Sequence, residues 1–314
     1  MNKSIFFDQC LIENKFIAMA IDQGTSLKNL LKNKIGIKFQ DNDYYIFKNE
    51  IINILSPYLS SYLVDYDTYV NFKKENSINM NPIIAFEEDA YFINDDYRIT
   101  NLPINFDMKT AVEEKFSAIK FFMYFNPETE KNVNTKKMDL IKFVGEKCDN
   151  HNISFLFEPL LYEDKKINIS TEKYNFNKPN YIEYFYNEFS KSEYNIDIIK
   201  IEFPFNPKEV ENFSNTNESI IYSESDILKI LKKIFGNYKK PYVFLSAGIS
   251  FINFLKGLEL INKSGINYLG FLCGRAIWND AIDVYCHNGK ESLIKWLNSE
   301  GIKRVKLLKK TVLN

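Results

Sequence analysis

The chain has 314 residues, of which 45% are hydrophobic, 16% aromatic and 26% charged. That is enough apolar side chain for a large core, which excludes intrinsic disorder, a collagen-like repeat and a disulfide-stapled miniprotein. Forty basic against forty-one acidic residues leave a net charge of -1, so there is no whole-chain field to attract nucleic acid or an anionic membrane. The length suits two ordinary domains or one large α/β barrel.

Short apolar runs bounded by polar or turn residues recur along the chain. They are FIAMAID (16–22), SSYLVDY (60–66), PIIAFEE (82–88), AIKFFMYF (118–125), ISFLFEPLLY (153–162), DIIKIEFPF (197–205), PYVFLSAG (241–248) and YLGFLCGR (268–275). Each is nearly continuous in Val, Ile, Leu and Phe, as strands buried on both faces of a parallel sheet should be. Segments with helical spacing lie between them, at 43–55, 135–150, 225–235 and 250–265. A short third connection and two polar insertions, 163–180 and 206–224, fit this alternation least well. Eight strands without a linker-like shift in composition predict a single (β/α)₈ barrel, one domain over 1–314. No GxGxxG follows the first strand, which argues against an open dinucleotide-binding sheet.

The four cysteines, Cys10, Cys148, Cys273 and Cys286, lack C-x-x-C spacing, and His151 and His287 are the two imidazoles. Neither a zinc site nor a disulfide framework is expected, and no metal or other cofactor is called for. The N-terminus lacks the apolar core of a signal peptide, and no run approaches the roughly 20 apolar residues of a membrane span. A cytoplasmic protein without a membrane or nucleic-acid partner is expected.

In a barrel, chemistry sits at the C-terminal ends of the strands, so polar residues inside the runs are informative. Strict alternation places Ala18, Ala20 and Asp22 on one face of the first strand, and Lys120 with Phe122 and Tyr124 on one face of the fourth. Ser154, Leu156 and Glu158 oppose Phe155 and Phe157, while Lys200 and Glu202 oppose Ile199, Ile201 and Phe203. A lone lysine in a strand is usually a solvated edge residue. Ionisable groups aimed inward from four strands form instead an ion-paired layer or an active site, and their position near strand ends favours the site.

Two lysines with carboxylates suggest amine chemistry on a carbonyl. An ammonium beside another in a water-poor interior has its pKa pulled down, to about 7 or 8 in tuned cases, leaving free amine to attack a ketone. The resulting iminium is an electron sink for an aldol cleavage. Near the C-terminus, five of the eleven glycines fall between 248 and 274, and Arg275 is one of three arginines in the chain. LSAG and CGRA end the last two runs, where barrels commonly bind phosphate, and a guanidinium fork suits that anion.

The segments AIDQGTSLK (20–28), IKFFMYF (119–125), FLFEPLLY (155–162), IDIIKIEFPFN (196–206), YVFLSAGIS (242–250) and GFLCGRAIW (270–278) together resemble the LacD-type tagatose 1,6-bisphosphate aldolases, in order and spacing across nearly the whole chain. The resemblance implies a class I aldolase barrel of lactose and galactose catabolism, acting on a phosphorylated ketose and assembling as a homo-oligomer. It makes Lys200 the Schiff-base lysine and Glu158 the acid/base, assisted by Lys120 and Asp22. It makes Gln23, Ser246, Gly248, Gly274 and Arg275 substrate-binding residues, the last four at phosphate positions. One departure stands out: the family usually has Arg after the Asp-Gln pair, where this chain has Gly24 and Thr25. Tagatose 1,6-bisphosphate is the expected substrate. Fructose 1,6-bisphosphate or a sulfofructose phosphate is the alternative, and a non-catalytic sugar-phosphate sensor is the alternative of another class.

Overall fold

The eight apolar runs become eight parallel strands in the computed structural model, which describes residues 10–76, 80, 82–90, 93, 97–162, 171–211 and 220–314. These are β1 (Phe16–Ala20), β2 (Ser61–Val64), β3 (Ile83–Ala85), β4 (Ala118–Phe125), β5 (Ser154–Leu161), β6 (Ile198–Glu202), β7 (Tyr242–Leu245) and β8 (Gly270–Cys273). They follow one another in chain order around a closed barrel, and β8 returns to β1 with Phe16 opposite Gly270 and Met19 opposite Cys273.

The alternation along each strand divides the core in two. Phe16, Ala18, Ala20, Leu63, Ile83, Ala85, Ala118, Leu156, Ile198, Val243 and Leu272 fill the barrel. Ile17, Met19, Ile119, Phe121, Phe155, Phe157, Ile199 and Ile201 point outward, under the helices. The aromatic content is spent largely in this outer layer, where the ring of Phe157 meets that of Phe189 at 4.8 Å and Phe203 stacks on Phe254 at 5.3 Å. Burying one such ring contributes about 1.5–3 kcal/mol. The small alanines on the inner face leave room above them for long ionisable side chains.

The helices are α1 (Thr25–Ile35), α2 (Asp41–Leu55), α3 (Tyr66–Glu75), α4 (Met108–Glu113), α5 (Lys131–Asn150), α6 (Thr171–Phe189), α7 (Glu224–Phe235), α8 (Phe251–Ser264), α9 (Arg275–Trp278), α10 (Ala281–Trp296) and α11 (Ile302–Leu313). The expected segments at 43–55, 135–150, 225–235 and 250–265 correspond to α2, α5, α7 and α8. Local chemistry sets their ends. Ser223 and Asp226 form a reciprocal capping box at α7, and Asp65 accepts the Thr68 N–H at 2.9 Å to cap α3. On α7, Ile227, Leu231, Ile234 and Phe235 form the buried stripe.

Three details differ from the expectation. The third connection is not short: it runs from Phe86 to Ser117 and carries α4. The insertion at 163–180 is helical from Thr171 onward, while 163–170 lies outside the described residues. In the insertion at 206–224, Val210 bridges Tyr222, and 212–219 lies outside the described residues. Among the described residues no helix is long and apolar enough to cross a membrane.

Candidate active site

The register of the strands brings the inward polar residues together. β4 pairs with β5 so that Phe122 lies opposite Glu158, and β5 pairs with β6 so that Leu156 lies opposite Ile198 and Phe157 opposite Ile199. One step further along that ladder Glu158 faces Lys200, and Lys200 Nζ lies 2.7 Å from Glu158 Oε2. The same carboxylate oxygen is 3.4 Å from Lys120 Nζ. Lys120 Nζ also contacts Asp22 Oδ2 at 2.8 Å and Glu87 Oε1 at 2.5 Å. All five side chains are almost completely buried.

These contacts set the charges. Burial pushes the Lys120 ammonium towards neutrality, but Asp22, Glu87 and Glu158 outweigh it and hold its pKa well above the ordinary lysine value. The lowering anticipated for a lysine beside another ammonium is therefore reversed at Lys120, because three carboxylates surround it. Burial raises Asp22 too, yet the charges of Lys120 and Lys200 prevail and its pKa falls to about 2. For Glu87 burial wins, helped by the neighbouring Asp22 and Glu158 charges and opposed by Lys120, and its pKa rises to about 7. Lys120 is thus a fixed cation, whereas Lys200 touches a single carboxylate, that of Glu158, among the described residues.

The cluster forms the floor of a cavity of about 910 Å³ at the C-terminal ends of the strands, and the nine residues expected from the resemblance to be catalytic or substrate-binding all line it. On one wall Ser246, Ala247 and Gly248 follow β7, and Gly274 and Arg275 follow β8. Gly248 has φ +82°, and a Cβ there would stand 3.0 Å from the Arg275 guanidinium carbon, so the position needs glycine for both backbone and space. Arg275 lies across this turn while remaining exposed to the cavity. At Gly274 a Cβ would meet the Ala20 carbonyl oxygen at 2.4 Å, and the Trp278 indole N–H donates to that same oxygen at 2.9 Å. The end of β8 is thereby held against β1, which fixes where Arg275 starts. Small backbone and a guanidinium on one wall can hold an oxyanion.

Glu202, expected beside Lys200 on the inner face, does not reach the cavity. Its Oε2 pairs with Lys178 Nζ of α6 at 2.9 Å, and its Oε1 accepts the Leu161 N–H at 3.3 Å. Two groups were missed by reading the strands. Glu87 continues the inner phase of Ile83 and Ala85 beyond the end of β3, so the alternation that singled out Asp22 carries its signal. Lys48 sits in the buried stripe of α2, with Tyr44, Phe47, Ile51 and Ile52. It pairs with Asp65 and donates to the Tyr44 hydroxyl oxygen at 2.8 Å and to the Gln23 carbonyl at 3.0 Å. Asp65 and Tyr44 keep its pKa raised against the opposing effect of burial. A lysine inside an apolar helical stripe was the available clue, and its consequence is a pinned Gln23 backbone at the cavity edge.

Residues 16–280 match the model of the DeoC/LacD family aldolases. The chain is 28% identical over 293 residues to a tagatose 1,6-diphosphate aldolase of Listeria monocytogenes serotype 4a, covering 93% of this chain and 86% of that protein. It is 27% identical over 300 residues to a tagatose 1,6-diphosphate aldolase of Staphylococcus aureus, covering 94% and 90%. Among solved structures it resembles a Schiff-base-forming fructose-1,6-bisphosphate aldolase with a TM-score of 0.60 and 14% identity, over 99% of this chain and 100% of that one. At that identity the likeness concerns the fold.

Proposed function

We propose, since the chain belongs to the DeoC/LacD family of aldolases and is a carbon–carbon lyase, that it cleaves a ketohexose phosphorylated at C1 through a Schiff base. The products are dihydroxyacetone phosphate and an aldehyde. Tagatose 1,6-bisphosphate, which its relatives' activity supplies as the reference substrate, would give glyceraldehyde 3-phosphate as that aldehyde. The observation that carries this reading is the 2.7 Å contact of Lys200 Nζ with Glu158 Oε2 beside a second lysine held cationic by three carboxylates.

Lys200 passes its proton to Glu158 and attacks the C2 ketone, and loss of water gives the iminium. A base takes the C4 hydroxyl proton, and the electrons of the C3–C4 bond move into the iminium to form an enamine as the aldehyde leaves. Protonation at C3 and hydrolysis release dihydroxyacetone phosphate and restore the lysine. Glu158 shuttles protons because it reaches Lys200 directly. Lys120 and Asp22 orient it and balance charge, while Gln23, Ser246, Gly248, Gly274 and Arg275 hold the substrate, the last four its C1 phosphate.

Borohydride added with dihydroxyacetone phosphate is expected to fix a substrate-sized mass on the peptide that contains Lys200, since only an imine is reduced to a stable amine. A label on the Lys120 peptide would exchange the roles of the two lysines, and no label on either would remove the Schiff base. At the phosphate wall, Arg275→Lys keeps the charge and loses the fork. It is expected to raise KM for the phosphorylated ketose by about tenfold, the worth of one charge-assisted hydrogen bond. Unchanged steady-state kinetics would show that Arg275 does not hold the substrate.

A further inference from the structure

In a closed barrel whose eight strands run in chain order, β3 stands diametrically opposite β7. The loops after β2 and β3 therefore face the Gly248 turn across the cavity, while the loop after β1 stands beside Arg275 because β8 pairs with β1, and Asp89 of the β3 loop reaches back to the start of α1. A ketose anchored by its C1 phosphate at the turns after β7 and β8 would extend its far end towards the β2 and β3 side. That far arc is acidic. It presents Asp67, Glu88 and Asp89 together with two groups already in ion pairs, Asp65 with Lys48 and Lys28 with Asp41 at 3.1 Å.

Three further observations describe what the arc accepts. The first turn of α1 carries no acidic residue, and such a helix start attracts an anion. Here the chain supplies its own, because the Thr25 N–H donates to Asp89 Oδ2 at 2.5 Å. At Gly24 a Cβ would lie 2.4 Å from that same oxygen, so no cationic side chain fits at position 24 while Asp89 is in place. Glu87, whose side chain is 5% exposed, lines the same side and has Oε2 buried without a hydrogen-bond partner among the described residues. It offers an acceptor to a hydroxyl and repulsion to a phosphate.

We infer that this arc selects a ketose whose far end is uncharged: a ketose monophosphate, phosphorylated at C1 and carrying hydroxyls at the other terminus, in preference to a bisphosphate or a sulfonated sugar. The inference rests on the aldolase reading of the same cavity and narrows its substrate class. A second anion at C6 would have to displace Asp89 from the start of α1 and sit among carboxylates, and selectivity arises from that repulsion as much as from new contacts.

The test measures kcat/KM of the full chain for fructose 1-phosphate, tagatose 1-phosphate and the two corresponding 1,6-bisphosphates, by release of dihydroxyacetone phosphate. In each epimer pair that the protein cleaves, the monophosphate is expected to be preferred over its bisphosphate by about tenfold or more. Asp89→Asn and Asp89→Ala, which free the start of α1, are each expected to shift that ratio towards the bisphosphate by about tenfold, and Gly24→Arg added to Asp89→Ala to shift it further. Circular dichroism of each variant confirms folding, and the wild-type ratio decides the matter even if the variants fold poorly. A wild-type preference for either bisphosphate, or a ratio that stays constant in folded Asp89 variants, overturns the inference while leaving the aldolase intact. Release of dihydroxyacetone phosphate from none of the four sugars overturns both together.

Discussion

Glu158→Gln is expected to lower turnover by about 100-fold or more while the protein remains folded. Glutamine keeps the shape of the side chain and a carbonyl to accept from one ammonium, but it cannot take the proton that Lys200 loses in the proposed mechanism. If Glu158 did no more than neutralise its neighbours, the same change would leave an uncompensated buried ammonium and cost about 3–5 kcal/mol of stability. The contacts argue for the first outcome. Lys120 keeps Asp22 at 2.8 Å and Glu87 at 2.5 Å in that variant, and the glutamine carbonyl can still accept from Lys200 where Glu158 Oε2 does at 2.7 Å. Turnover and denaturation midpoint measured on one preparation separate the two. Wild-type turnover in a folded variant would move the shuttle to Asp22, Glu87 or Lys120.

Glu87→Gln is expected to stabilise the protein at alkaline pH and to leave its stability nearly unchanged at pH 5. The folded pKa of Glu87 is raised from the ordinary 4.5 to about 7, so the folded chain holds a proton that the unfolded chain gives up across that interval. Its contribution to stability is therefore complete below the unfolded value and is lost as pH rises through about 7, a difference of about 3 kcal/mol. A permanently neutral glutamine escapes that loss. Asp22 acts in another window: its pKa is depressed to about 2, so its contribution is present above the unfolded value and is lost as pH falls towards 2. Urea denaturation of wild type and variant at pH 5, 6, 7 and 8 gives the result directly. A difference between them that does not change from pH 5 to 8 would show that Glu87 ionises normally in its pocket.

The residues the sequence identified and those it missed differ in a physical way. Asp22, Lys120, Glu158 and Lys200 were legible because a two-residue period assigns faces without any knowledge of neighbours. Glu87 obeys the same period, but it lies beyond the short β3, where a strand pattern carries less weight. Lys48 was hidden because helical spacing marks its face as buried without saying which charge waits there, and the charge is Asp65, from the loop after β2. Glu202 obeys the period and still leaves the site, drawn to Lys178 of α6, within a stretch whose polar composition suggested an insertion. Asp89 meets Gly24 only because the loops after β1 and β3 converge above the barrel.

By itself the sequence determined the eight strands in their order, the inward and outward faces of each, and the set of ionisable groups and small residues gathered at one end. Continuous apolar runs and strict alternation are local properties, and a parallel barrel is the arrangement that buries both faces of every strand. Only the tertiary structure decided which charges share which partner: that, among the described residues, Lys120 is clamped by three carboxylates and Lys200 touches one, that Glu87 is buried enough to titrate near neutrality, and that Asp89 occupies the start of α1. Coulomb and desolvation energies vary over distances of a few ångströms, and those distances are set when β8 closes on β1 and residues far apart in the chain arrive at one cavity.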